Sequence, residues 1–271
     1  MQQQKPKLHF QRLEFKYILD AKQFKEIKML LRKYVNLDEF VNNTKHGFYE
    51  VLSLYYDSPK FYSYWEKIDG AKKRRKIRLR TYRTDGALSS NIFFEIKRKH
   101  DSIVLKDRFV LNGNDYENLI NRGDFFNSDS MNDDNRSHLL EEFHFVKGLR
   151  SISPKILVSY NREPYLCKFN KNVRITFDYA IKAKRGEHLL HNENNFIDVS
   201  GTKVIMEIKF KGALPFYIEN IIKRYNLSRV PYSKYCEGVE ACYTLPLLHA
   251  LGSNSQSDSL RLNKDRLLIN D

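Results

Sequence analysis

Three stretches of the chain set a carboxylate and a lysine two residues apart inside an apolar run: Glu14-Phe15-Lys16, Glu95-Ile96-Lys97 and Glu207-Ile208-Lys209. Residues two apart on a β-strand point the same way, so each pair puts a carboxylate beside an ammonium on one face and leaves the apolar neighbours to the other. The run Arg74 to Arg80 (RRKIRLR) goes further, with Arg74, Lys76, Arg78 and Arg80 on one face and Ile77 and Leu79 on the other. Side chains on one face recur roughly every 6.7 Å, so this row of cations is about 20 Å long. That length suits a chain of phosphates. Arginine offers phosphate oxygens a planar bidentate fork and lysine a compact point charge, a mixture suited to oligophosphate.

Alternation places further charges on the same face of other strands: Arg12 beside Glu14 and Lys16, Lys106 with Arg108, then Arg162, Arg174 and Lys209. Two like unit charges about 4 Å apart repel by roughly 4 kcal/mol at an effective dielectric near 20. A face with so many cations must be wet and hold an anion. Its carboxylates Glu14, Glu95 and Glu207 either space the lysines as ion-pair partners or ligate a hard divalent ion that bridges phosphate oxygens. One Glu-x-Lys strand alone reads as an ordinary solvated face; three of them together with RRKIRLR do not.

The elements that carry these residues follow from periodicity. Strands are predicted at Phe10 to Leu19, Gly47 to Tyr56, Arg74 to Thr84, Asn91 to Lys99, Ser102 to Leu111, Lys155 to Arg162, Val173 to Ala180 and Val204 to Lys211. The strand holding Tyr160 and Arg162 is the least clearly amphipathic, because those two share a face with Ile156 and Val158. Asp20 and Gln23 form a capping box before a helix that runs to about Val35, and further helices are predicted at Phe61 to Ile68, after Pro215 and after Ser233. The stretch Asp124 to Ser137 reads as a surface loop between two helical segments. Eight strands, four or more of which turn a charged face and a greasy face, and about five helices imply an α+β fold. The economical form is a closed antiparallel eight-stranded tunnel barrel with a polar lumen and covering helices. Residues 8–250 form this domain, and 251–271 a polar tail with too little apolar material to fold alone.

Lys and Arg number 47 against 33 Asp and Glu, a net charge of +14, so the partner is polyanionic. No RNP1, zinc-finger or helix-turn-helix pattern appears, and the clustered cations lie on strands, which argues against nucleic acid. The histidines lack ligand spacing. Three cysteines without a CxxC point to a reducing compartment, and no apolar leader or membrane-length run is present, so the protein is expected to be cytoplasmic, with any membrane link through a partner protein.

The segments EFKYIL (Glu14 to Leu19), SLYYDSP (Ser53 to Pro59), RRKIRLRTY (Arg74 to Tyr82), FFEIKRK (Phe93 to Lys99), VSYNREPY (Val158 to Tyr165), VRITFDYAI (Val173 to Ile181), MEIKFKG (Met206 to Gly212) and PYSKYCEG (Pro231 to Gly238) resemble, in order, the blocks of the VTC domain. This is the polyphosphate polymerase domain of vacuolar transporter chaperone proteins, which also occurs as a stand-alone bacterial protein. The resemblance implies the triphosphate tunnel architecture of CYTH-like proteins, and an enzyme that moves the γ-phosphate of ATP onto a growing polyphosphate or pyrophosphate acceptor with Mn²⁺ or Mg²⁺. It implies phosphate ligation by Lys16, Arg78, Arg80, Lys97, Lys106, Tyr160, Arg162, Arg174, Ser233 and Lys234, with Glu207 on the metal; Lys76 and Lys209 join the set from their place on the charged faces. Eukaryotic relatives carry a lysine just before the Ser-Lys pair, where this chain has Pro231-Tyr232. A metal-dependent triphosphatase of the same architecture and a non-catalytic polyanion-binding module are the alternatives. Tunnel hydrolases pack Glu-x-Glu pairs, whereas each carboxylate here is followed by a lysine, which favours phosphoryl transfer along a held chain.

Overall fold

The computed structural model describes residues 12–42, 44–101, 103–125, 134–189 and 194–243. The predicted tail from residue 251, both ends of the 8–250 domain, the start of the first predicted strand and most of the Asp124 to Ser137 loop lie outside those residues. In chain order the elements are β1 (Arg12–Leu19), α1 (Ala21–Leu31), β2 (Val35–Leu37), α2 (Glu39–Asn42), β3 (Tyr49–Asp57), α3 (Tyr62–Ile68), β4 (Lys73–Thr84), β5 (Ala87–Leu88), β6 (Ile92–His100), β7 (Ile103–Leu111), α4 (Gly113–Asn121), α5 (Asp134–Arg150), β8 (Ser153–Cys167), β9 (Arg174–Arg185), β10 (Ile197–Asp198), β11 (Val204–Lys211), α6 (Phe216–Arg224) and α7 (Lys234–Cys242). The Asp20–Gln23 capping box is present in both directions, and Ser233 caps α7 through the Cys236 amide. All three cysteines are free and buried. Among the described residues no helix is long and apolar enough to cross a membrane.

Eight strands form one antiparallel sheet in the order β1-β11-β9-β8-β3-β4-β6-β7, with β2, β5 and β10 as short additions. Five strands intervene between β1 and β6 along this path, yet Glu14 of β1 lies 4.0 Å from Lys97 of β6. The sheet is therefore strongly curled. It is not the closed barrel expected from the sequence: among the described residues β1 pairs only with β11, β7 pairs only with β6, and these two strands do not meet in the ladder. One reason is that the connector between α6 and α7 occupies the outer edge of β1, where the Val230 amide donates to the Lys16 carbonyl at 2.9 Å.

The two faces of the sheet are covered differently. On the convex side, α1 and α6 pack over Tyr17, Leu19, Ile175, Phe177, Met206 and Ile208. Residues of α4 and α5, including Leu119 and Phe143, cover Ile77, Leu79, Phe94 and Ile96 on the same side. On the concave side, α7 lies against one end of the sheet, burying Tyr235, Cys236 and Val239 on Val51, Tyr55, Ile156, Val158, Ile181 and Ala183. The mixed strand of the sequence is thereby explained. The lower half of β8 faces an inserted helix and its upper half, Tyr160 and Arg162, faces polar space. A bulge in β9 at Ala180, whose φ is 49°, shifts the register between Ser159 and Asn161. The extra residue reverses the alternation, so Asp178 before it and Ile181 and Ala183 after it all face the concave side.

Gly238 marks the closest approach of α7 to the sheet. A Cβ there would stand 3.1 Å from Ala183 Cβ, 3.1 Å from Ile156 Cγ2 and 3.2 Å from Val158 Cγ2, three short, buried, rigid neighbours. Gly238→Ala is expected to destabilise the fold by about 1–3 kcal/mol in urea unfolding through overpacking, even though alanine alone favours a helix by about 1 kcal/mol over glycine. Equal or greater stability would mean that α7 is not pressed onto the strands.

Candidate functional site

The concave face beyond α7 gathers the charged residues. Register decides which charges stand opposite each other: Arg78 of β4, Glu95 of β6 and Arg108 of β7 align across three strands, and one step along the same face Lys76, Lys97 and Lys106 align as three lysines. Like charges directly opposite destabilise a sheet. Each of these lysines turns to a different partner. Lys106 Nζ lies 2.7 Å from Glu95, Lys97 reaches across the curl to Glu14 at 4.0 Å, and Lys76 Nζ donates to Ser233 Oγ at 2.9 Å.

Each carboxylate on this face serves several cations. Glu95, 1% exposed, accepts from Arg78 Nε at 2.7 Å and lies 3.9 Å from Arg80 and 3.8 Å from Arg108. Burial alone would raise its pKa, but Arg78, Arg80 and Lys106 together hold it well below the usual carboxylate range. Glu14 lies 3.2 Å from Lys16 and 3.9 Å from Lys209. Glu207 is ion-paired with Lys209 and stands 3.9 Å from Arg162; against the effect of burial, Lys209, Lys16 and Arg162 keep it ionised far below its ordinary value. Lys16 also donates to the Tyr232 carbonyl at 3.0 Å, which ties β1 to the entrance of α7.

Asp178, fully buried on β9, was not singled out by the sequence reading. It binds Arg162 through two parallel bonds, Nε to Oδ1 at 2.6 Å and Nη2 to Oδ2 at 2.7 Å, and Lys234 at 2.6 Å. Lys234 in turn lies 4.7 Å above the Tyr160 ring. Asp178 shares a face with Arg174 by simple alternation, so the signal was present. Asp38 had no such signal, lying between β2 and α2 in irregular backbone, yet it takes Arg174 at 3.0 Å. Tyr55 was also missed: its hydroxyl accepts from Arg78 Nη1 at 3.0 Å, and although burial would raise its pKa, Arg78, Arg80 and Lys76 bring it down to about 8.

The structure thus brings Lys16, Lys76, Arg78, Arg80, Lys97, Lys106, Tyr160, Arg162, Glu207, Lys209, Ser233 and Lys234 onto one concave face, from six strands and the start of α7. Arg174 stands at its edge beside Asp38. Arg12 has only its backbone described, as the first residue of β1. The cations come from elements far apart in the chain, and the α7 N-terminus adds its partial positive charge to them. The face can grip a linear polyanion from several sides.

Lys97 and Lys106 report the crowding. Burial, added to the neighbouring cations, lowers both to about 8 in spite of Glu14 and Glu95. A bound polyanion raises them again, and raises Tyr55 too, so binding at pH 8 should take up protons. Calorimetric titration of tripolyphosphate in buffers of different ionisation enthalpy should give a positive proton uptake that shrinks in Lys97→Gln and Lys106→Gln; a buffer-independent heat would refute the assignment. In the ligand-free protein, the unfolded chain holds more protons than these two folded lysines between pH 8 and 10.5, so their contribution to stability rises with pH across that window.

A family model described as the VTC domain matches residues 11–243. Comparison with curated proteins gives no significant match. Among solved structures, a Bacillus halodurans protein described as a candidate adenylate cyclase overlaps 83% of this chain and 94% of its own, at 13% identity and a TM-score of 0.47. A Pyrococcus horikoshii protein overlaps 94% and 99% respectively, at 13% identity and a TM-score of 0.37. At these scores neither overlap bears on the chemistry.

Proposed function

Because the chain belongs to the VTC domain family, we propose that it is a polyphosphate polymerase, moving the γ-phosphate of ATP onto a growing polyphosphate or pyrophosphate acceptor held along the concave face. The observation that carries this reading is the convergence of cations from β1, β4, β6, β7, β8 and β11 and from the start of α7 on one curled surface. Every carboxylate there is already shared among them. Such a surface neutralises phosphate with protein cations along its length, and phosphoryl transfer needs little beyond positioning and charge stabilisation.

In this reading Arg78, Arg80, Lys97 and Lys106 hold the transferred phosphoryl group and the leaving phosphate, Lys16, Arg162, Lys209 and Lys234 hold neighbouring phosphates, and Arg174 meets the ligand at the edge. Tyr160 and Ser233 supply hydroxyls, and Lys76 and the α7 N-terminus add positive charge. A terminal oxygen of the acceptor chain attacks the γ-phosphorus in line while the bond from that phosphorus to the β,γ-bridging oxygen breaks, so that ADP leaves with the bonding pair. As phosphate oxygens displace Glu95 and Glu14, the arginines and lysines exchange one anionic partner for another.

Among the described residues, no group of three or more His, Cys, Asp or Glu side chains forms a cage of its own for a metal. Glu207 nonetheless fits Mn²⁺ or Mg²⁺, because such ions often use one or two carboxylates and complete their shell with water and substrate phosphates. A bound ion would neutralise charge on the phosphate oxygens during transfer. Lys209, which holds the Glu207 carboxylate meanwhile, is partly exposed and has room to turn toward phosphate.

Purified protein incubated with ATP and Mn²⁺ should yield a ladder on a gel stained for polyphosphate. Release of inorganic phosphate without polymer would instead identify a triphosphatase, and neither product would leave a binding module. Glu207→Gln, which keeps the shape but cannot neutralise a divalent ion, should lower turnover at limiting Mn²⁺ by at least 10-fold, the loss of a charge-assisted contact of about 1.5 kcal/mol or more, and should raise the Mn²⁺ concentration needed for half-maximal activity. Unchanged activity, or lost activity with an unchanged Mn²⁺ requirement, would move the metal ligand to another strand.

A further inference from the structure

At one end of the concave face the cations give way to aromatic rings. Tyr82 lies two residues beyond Arg80 on β4 and Phe93 two residues before Glu95 on β6, so each stands roughly 6.7 Å from a member of the charged cluster on the same face. Tyr49 of β3 completes the group, with ring centroids 5.5 Å from Tyr82, and Tyr82 in turn is 5.9 Å from Phe93. Phe40 of α2 caps it, edge-on to Tyr49 at 5.0 Å and to Tyr82 at 5.9 Å. The inner rings are packed, but Phe40 is 56% exposed, an unusual loss of apolar burial for a ring seated on other rings.

The backbone carrying Phe40 is tied to the phosphate-binding cations. One Asp38 carboxylate oxygen takes Arg174 at 3.0 Å and the other accepts the Phe40 amide at 3.1 Å. Asp38 thus links the backbone of Phe40 to the outermost arginine of the site. Phosphates held on Arg174, Arg162 and Arg80 would leave the rest of a nucleotide facing Phe40.

We propose that Phe40 is the stacking platform for the base of the nucleoside triphosphate donor, with Tyr49, Tyr82 and Phe93 as the packed support beneath it. The proposal rests on the polymerase reading, and adds the end at which the donor enters: base outward on Phe40, terminal phosphate inward toward Arg78. Stacking accepts any base, since every base offers a π-face. Base selectivity among nucleoside triphosphates is therefore weak, and the gain over plain triphosphate comes from the ring.

Binding constants for β,γ-imido ATP and for inorganic tripolyphosphate, measured by calorimetry on the full chain, test it without turnover. Phe40→Ala should weaken the nucleotide about 5- to 10-fold, the low end for one base–aromatic stack, and leave tripolyphosphate unchanged, while Phe40→Trp keeps the nucleotide affinity. An equal loss for both ligands would make Phe40 a purely structural residue, and no loss for either would place the base elsewhere; each overturns the proposal. Failure of tripolyphosphate to bind the wild-type protein would overturn the phosphate-site reading itself, and is distinguishable from both.

Discussion

Lys76, Lys97 and Lys106 stand side by side on adjacent antiparallel strands, an arrangement that costs free energy unless something intervenes. Most of the site follows from how that repulsion is relieved. Lys106 folds back onto Glu95, Lys97 reaches across to Glu14, and Lys76 meets the capping serine of α7. Each answer needs a different part of the fold: the β6–β7 register, the curl that brings β1 near β6, and a helix inserted on the concave side. Loss of any one would leave an ammonium buried against its neighbours, where desolvation already depresses the pKa of all three lysines.

This arrangement links stability to ligand binding. Carboxylates shared by two to four cations are strained substitutes for a polyanion, because one Glu95 cannot satisfy Arg78, Arg80, Lys106 and Arg108 at full strength together. An oligophosphate brings more oxygens and more charge along the whole row. In the proposed reading, the cations that repel one another on this face are the ones that would hold the phosphates. The apolar convex side, with α1, α4, α5 and α6, supplies the burial that tolerates the costly inner face.

α7 divides the concave face into two zones. Where it lies, the inner surfaces of β3, β8 and β9 are apolar and closely fitted, and a Cβ at position 238 would stand 3.1 Å from Ala183 and Ile156. Where it ends, Ser233 and Lys234 deliver a hydroxyl, an ammonium and a helix N-terminus to the charged zone, and Lys234 is fixed there by Asp178. Packing and electrostatics meet at one helix start. A change in the fit of α7 on the sheet would reach the site through Lys76 and Lys234.

Strict alternation around Glu14, Arg78, Glu95 and Glu207 determined from sequence alone that one strand face is charged and the other buried, and ordered blocks along the chain determined the family. Both signals are local: a two-residue period or a short run of side chains suffices. The tertiary structure decided what depends on distant partners. An open curl replaced the expected closed barrel because the connector before α7 takes the edge of β1, and no periodicity in β1 or β7 encodes that. Ile156 and Val158 looked misplaced beside Arg162 only because the helix that covers them lies about eighty residues further along the chain. A bulge at Ala180 reverses the alternation of β9 and turns Ile181 and Ala183 to the concave side under α7, and Asp38 meets Arg174 from irregular backbone with no period to read. Side-chain direction along a strand is set by local geometry, whereas which strands and helices face one another across a concave surface is set by long-range packing, and only the folded chain contains it.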